Sequence, residues 1–220
     1  QTPYASVGLG HRRLSIIDLS NAGSQPQHFG QFHITFNGEI YNYRELKDEL
    51  IAKGHQFVSH SDTEVILHAY AEWQQACLQK FIGMFAFVIY DIQEHKIFCC
   101  RDRAGVKPFF YYCWDNNLFL FGSELKAVMN HPEFKKDINI DSVGQFMQFG
   151  YIPEPQSIFK NTFKLQAGHW LSLDLGKMEI KKWPYWSVSD IYKTKVSDLT
   201  LPEAIKETEK ILEKAFNYRM

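Results

Sequence analysis

The sequence predicts an α+β fold in which two antiparallel sheets lie face to face between layers of helix. Three observations carry that expectation. The runs Phe85-Ala86-Phe87-Val88-Ile89-Tyr90 and Ile97-Phe98-Cys99-Cys100 are apolar on both faces, so each must be covered on both sides. Short polar turns at Gln93-Glu94-His95 and Asp115-Asn116-Asn117 join neighbouring runs, which makes them antiparallel. Amphipathic helices precede and follow these strands and can supply the outer layers.

Taken in order, residues 8–18 form a β-prone run that carries Arg12 and Arg13, and a polar loop follows over residues 20–30. From Phe32 the chain alternates, with Phe32, Ile34 and Phe36 on one face and His33 and Thr35 on the other. That strand is expected to break at Asn37-Gly38, where alternation stops. A helix over residues 42–53 should start at an Asn42 cap, with Glu45 three residues on, and stop at Gly54. The next helix begins at Ser61 with Glu64 answering it and Val65, Ile66, Ala69, Tyr70 and Trp73 along one face. Its first turn holds Asp62, whose ionised form the helix dipole favours. Hairpins are expected over residues 85–100, 109–121 and 171–183, and shorter helices over residues 123–130 and 141–149. Residues 182–199 read as a polar linker. The last 21 residues, from Thr200, form an amphipathic helix opened by a Thr200/Glu203 capping box, and its stripe of Ile205, Thr208, Ile211, Leu212, Ala215 and Phe216 needs a partner surface.

With 220 residues, the chain can hold one sizeable domain or one domain and part of another. A net charge of −1 gives no basic face for nucleic acid or a membrane surface. There is no apolar run of transmembrane length and no signal peptide. Abundant aromatics, 18 Phe and 11 Tyr, suit sheets stacked on a thick apolar core. Cys77, Cys99, Cys100 and Cys113 lack metal-ligand spacing and read as buried free thiols of a cytoplasmic protein.

The chemistry is expected around Asn37-Gly38-Glu39. A free α-amino acid needs a cation for its carboxylate, an anion for its ammonium and polar groups for its side chain. Arg13 can offer a bidentate fork, and Glu39 and Asp62 are candidate anions. The Asn37 side-chain amide and the Gly38 N–H can point at one oxygen and so stabilise a tetrahedral oxyanion, at on the order of 3 kcal/mol per donor. Each residue also has an ordinary structural reading: Asn37-Gly38 as a turn, Arg13 as a surface ion pair, Asp62 as a dipole complement.

The runs Gly10-His11-Arg12-Arg13-Leu14-Ser15-Ile16-Ile17-Asp18, Gln25-Pro26, Asn37-Gly38-Glu39-Ile40-Tyr41-Asn42, Ser61-Asp62-Thr63-Glu64-Val65-Ile66, Gly83-Met84-Phe85-Ala86-Phe87 and Arg101-Asp102-Arg103-Ala104-Gly105-Val106-Lys107-Pro108 resemble the class II glutamine amidotransferase domain of glutamine-hydrolysing asparagine synthetase. The later runs Gly150-Tyr151-Ile152-Pro153 and Leu165-Gln166-Ala167-Gly168-His169 resemble it too. The resemblance implies an N-terminal-nucleophile fold, a four-layer α/β/β/α sandwich. It implies that Arg13 binds the carboxylate of L-glutamine and Asp62 its ammonium with Glu39 assisting, and that Asn37 and Gly38 form the oxyanion hole. The nucleophile would be an N-terminal cysteine, its own α-amino group acting as base. Ammonia would travel a tunnel past Met84 to a second domain, where ATP and Mg2+ activate aspartate.

On this reading residues 1–183 are the amidotransferase domain, 184–199 a linker and 200–220 the start of the synthetase domain. Neither the N-terminal cysteine nor a Ser-Gly-Gly-x-Asp-Ser pyrophosphate loop is in the sequence, so the chain is expected to be a piece of its parent, inactive alone and without a cofactor of its own. A homodimer stays open. So do amidation of another carboxylate, such as a sugar acid in surface-polysaccharide assembly, and a non-catalytic, glutamine-binding regulatory role.

Overall fold

The computed structural model describes residues 5–12, 23–114, 117–194 and 198–219. Numbered in chain order, the strands are β1 (Gln27–Phe29), β2 (Phe32–Ile40), β3 (Gly83–Asp91), β4 (Lys96–Arg101), β5 (Phe110–Trp114), β6 (Leu118–Gly122), β7 (Thr162–Lys164), β8 (His169–Asp174) and β9 (Glu179–Pro184). The helices are α1 (Tyr43–Ala52), α2 (Asp62–Trp73), α3 (Cys77–Lys80), α4 (Leu125–Met129), α5 (Ile140–Phe149), α6 (Val188–Tyr192) and α7 (Leu201–Asn217). One antiparallel sheet runs β1-β2-β3-β4-β8-β9 and a second runs β6-β5-β7.

Three apolar clusters separate four layers. The first joins Phe32, Ile34, Phe36 and Ile40 of β2 to Leu46 and Leu50 of α1 and Val65 and Ile66 of α2. The second lies between the sheets, with Ala86, Val88 and Tyr90 of β3 and Leu171 of β8 on one side and Phe109 and Tyr111 on the other. The third packs Tyr112 on Val128 of α4, Phe134 and Phe159. Alternation divides even the adjacent cysteines, Cys100 falling in the first cluster and Cys99 in the second. Each fully buried large apolar side chain in these layers contributes about 1.5–3 kcal/mol. The α/β/β/α sandwich expected from two-faced strands is the observed architecture.

Several local expectations change. β2 does not break at Asn37-Gly38; it continues to Ile40, paired with β3 throughout, Asn37 opposite Ala86 and Gly38 opposite Phe85. Gly38 has φ +150°, and a Cβ there would sit 2.1 Å from the Met84 carbonyl oxygen. Close approach of β3, a contact distant in sequence, explains the glycine; a turn does not. Asn42 precedes α1 without capping it. Its side chain donates to Lys80 O (2.9 Å) and accepts from Ile82 N–H (2.9 Å), tying α1 to the entry of β3. Ser61 does cap α2, accepting from Glu64 N–H at 3.3 Å. The Glu64 carboxylate turns elsewhere, to the N–H groups of Val58 and Ser59 at 2.8 Å.

The polar loop holds β1, and the helix expected from Ser123 starts at Leu125. In the stretch read as a linker, the N–H groups of Tyr185 and Trp186 donate to Gly168 O, and α6 follows. α7 buries no residue; Ile205, Ile211, Leu212 and Phe216 of its stripe are exposed, as is Leu201, and the Tyr218 hydroxyl donates to Glu45 of α1 at 2.8 Å.

Candidate active site

Beyond Ile34, β1 no longer covers the outer edge of β2. Odd-numbered residues on either side of this stretch bond toward β3: Gln31 O accepts from Ile92 N–H and Tyr41 N–H donates to Ile82 O. The N–H groups of Phe36, Gly38 and Ile40 therefore turn to the uncovered edge. Two of them are taken by side chains. Gln25 Oε1 accepts from Phe36 N–H at 2.7 Å and Asp62 Oδ2 from Ile40 N–H at 3.0 Å. Gly38 lies between them. Its register partner, Phe85, spends both backbone groups on Asp102, its N–H on Oδ2 and its carbonyl on the Asp102 N–H. The alternation leaves the Gly38 N–H directed at the cavity that this edge borders.

That cavity measures about 860 Å³ and is lined by Asn37, Gly38, Glu39, Asp62, Gln25, Arg12 and Lys107 among others. Asn37, an odd residue, faces the space between the sheets, where its Nδ2 donates to Ser123 Oγ at 3.1 Å. One amide hydrogen is thereby fixed and the second remains for a ligand. Asn37 and Gly38 thus present a side-chain and a backbone N–H to one space, the arrangement that an oxyanion requires.

Asp62 is 5% exposed, and burial raises its pKa to about 6, with the neighbouring charge of Glu39 adding to the rise. The N–H of Ile40 and those of the first turn of α2 pull the other way without winning. The helix start was expected to hold this carboxylate ionised; desolvation proves the larger influence. Near neutral pH it is still mainly charged, and with Glu39 it makes a negative corner suited to an ammonium group. Gln25 links the two elements of the site, accepting from β2 and donating Nε2–H to Thr63 Oγ1 of α2 at 3.3 Å.

The structure brings together Asn37, Gly38, Glu39 and Asp62. Arg13 lies outside the described residues; Arg12, its neighbour in the chain, lines the cavity. Gln25, Lys107 and Ser123 are site residues that the candidate set lacked. The first two sit in the quoted runs and were findable there, whereas nothing local marks Ser123, 86 positions from its partner. Cys77, Cys99 and Cys100 are buried, and burial drives each thiol far above its ordinary pKa, so none of them offers a thiolate to the cavity. Among the described residues no cluster of His, Cys, Asp and Glu could hold a metal ion, and no helix is long and apolar enough to cross a membrane.

Comparison with known proteins bears on the family of the domain. A protein of Methanocaldococcus jannaschii assigned as asparagine synthetase [glutamine-hydrolyzing] 2 is 43% identical, covering 98% of this chain and 44% of its own length. Asparagine synthetase [glutamine-hydrolyzing] 3 of Bacillus subtilis is 39% identical over 89% of this chain and 32% of its own. The chain thus spans less than half the length of these relatives. Among solved structures, glutamine phosphoribosylpyrophosphate amidotransferase from B. subtilis shares the fold with a TM-score of 0.54 at 20% identity, over 80% of this chain and 34% of that one. That likeness is one of fold. The model of the glutamine amidotransferase domain matches residues 3–186, nearly all of the sandwich, and the chain belongs to that family.

Proposed function

We propose that this domain binds L-glutamine in the cavity at the edge of β2 and releases ammonia from its side-chain amide. The observation that carries the reading is the pair of N–H donors at Asn37 and Gly38, one anchored and one left by the ladder, beside the buried carboxylate of Asp62. In this reading Asp62 and Glu39 hold the substrate ammonium, Arg13 the α-carboxylate, and Asn37 and Gly38 the oxyanion that forms when the amide carbon is attacked. The attacking group would be an N-terminal cysteine of the protein that carries this domain, as its resemblance implies.

We further propose that the ammonia serves ATP-dependent amidation of aspartate in a second domain, which would also hold ATP and Mg2+. Support comes from the relatives' names and from the length of those relatives that this chain does not span. Residues 1–183 would then be the amidotransferase unit and 200–220 the first helix of the next, with α7 turning its exposed stripe to that domain. Buried free thiols suit a reducing cytoplasm.

The test uses the whole protein. Asp62→Ala should raise KM for glutamine while synthesis from free ammonia is unchanged; equal loss of both activities would contradict the assigned role.

A further inference from the structure

We infer that Ser123 is a positioning residue for the oxyanion donor, and that the second sheet thereby sets the geometry of a site built on the first. The inference rests on the proposed role of Asn37. Ser123 lies just after β6, at the entry to α4, and its hydroxyl accepts from Asn37 Nδ2 at 3.1 Å. An asparagine amide can be placed either way round, with its N–H or its carbonyl toward a ligand. Only the N–H orientation stabilises a developing negative charge, since a carbonyl there would repel it. Among the described residues the Ser123 hydroxyl is the group that holds the Asn37 side chain, and with Nδ2 turned to Ser123 Oγ the amide plane is fixed and its second N–H is left for the cavity.

The neighbourhood is arranged to keep Ser123 in place. β6 pairs with β5 through Gly122 opposite Phe110, which fixes the residue before it. Ala127 N–H donates to Glu124 O at 3.1 Å, closing the first turn behind it. Gly122, Ser123 and Glu124 all border the same cavity as Asn37 and Gly38. The asparagine lies on a strand of the first sheet and the serine just past the end of a strand of the second, so their bond spans the sandwich at the site.

The test compares glutamine hydrolysis by the whole protein and by S123A, S123T, N37A and the double variant. S123A should lose about tenfold in kcat with KM within about twofold, because the ground state needs the amide less than the transition state does. S123T keeps the hydroxyl and should stay within about twofold of the wild type. The double variant should be no slower than N37A, since both changes act on one group. Should S123A not fold, as read by its thermal melt, S123C takes its place, keeping the size and weakening the acceptor. An unchanged kcat in S123A or S123C, a loss confined to KM, or losses that multiply in the double variant would each overturn the role of Ser123 while leaving that of Asn37 intact. A wild type without hydrolysis, or an N37A variant as fast as the wild type, would overturn the oxyanion reading and this inference with it.

Discussion

Ala86 of β3 has Asn37 as its register partner on one side and Arg101 on the other. Two polar runs therefore sit level with each other across one strand, and they do different things. Asn37-Gly38-Glu39 leaves groups unspent toward a cavity. Arg101-Asp102-Arg103 spends nearly everything inside the protein. The Asp102 carboxylate accepts from the N–H groups of Phe85, Ala104, Val106 and Lys107 at 2.9–3.2 Å. Arg101 donates to the carbonyls of Leu165, Lys107 and Gly105 and pairs with Glu154. Arg103 closes the end of α3 by donating to Phe81 O, Leu78 O and Gln79 O. Charge does not separate a site from a scaffold here. The destination of each hydrogen bond does.

The sharpest way to break this comparison is Asp102→Ala. Four N–H groups around a residue 1% exposed would lose their acceptor, at about 1–3 kcal/mol each where water cannot replace it. The fold should lose on the order of 4 kcal/mol or more, measured by urea denaturation, with Lys107 released from its place at the cavity. A variant within 1 kcal/mol of the wild type, to order of magnitude, would show that the run is no scaffold.

Gly38→Ala comes next, because it strikes the place where site and scaffold meet. A Cβ 2.1 Å from the Met84 carbonyl must push β2 and β3 apart. The added strain at φ +150° and the overpacking together should cost about 3 kcal/mol in the same denaturation experiment. Asn37→Ala belongs to the other class. Its stability should move by under about 1 kcal/mol, while kcat for glutamine hydrolysis falls about 100-fold. If turnover and stability fell together in Asn37→Ala, the division between the two runs would fail.

These residues also show what a sequence can and cannot display. Period-two alternation at Phe32, Ile34 and Phe36 and the two-faced runs of β3 and β4 are local consequences of layering, so the sandwich could be read. The Ser61 cap was legible for the same reason. Asn37-Gly38 looked like a turn because the cause of its glycine, the Met84 carbonyl, lies 46 positions on (38 to 84). Asn42 looked like a cap because cap chemistry is local, whereas its real partners, Lys80 and Ile82, are not. Three edge residues were too few to mark β1 in a polar loop. Of the site, Asn37, Gly38, Glu39 and Asp62 could be proposed by residue type, but the open edge that gives them a common direction appears only once β1 is seen to stop.

The smallest effect concerns charge at the site rather than structure. Burial raises Asp62 to about 6, so between roughly pH 4 and 6 the folded protein holds a proton that the unfolded chain has released. This group therefore favours folding at acid pH, and that contribution declines as pH rises through 6. Its demand on ligand binding runs the other way, since an ammonium needs the carboxylate. At pH 5 about one tenth of the sites would be ionised, so KM for glutamine should rise about tenfold between pH 7 and 5. His68, on the same helix, has its pKa lowered to about 4 by burial, against the pull of Glu64. It stays neutral in the fold while the unfolded chain takes up a proton near 6.5, so its contribution to stability is lost as pH falls. The two groups oppose each other in acid melts but not in binding. Asp62→Asn should flatten the KM profile across pH 5–7 and leave the acid loss from His68 uncovered as a lower melting temperature at pH 5. A wild-type KM that stays level down to pH 5 would mean that Asp62 faces the scaffold alone and that the negative corner belongs to Glu39.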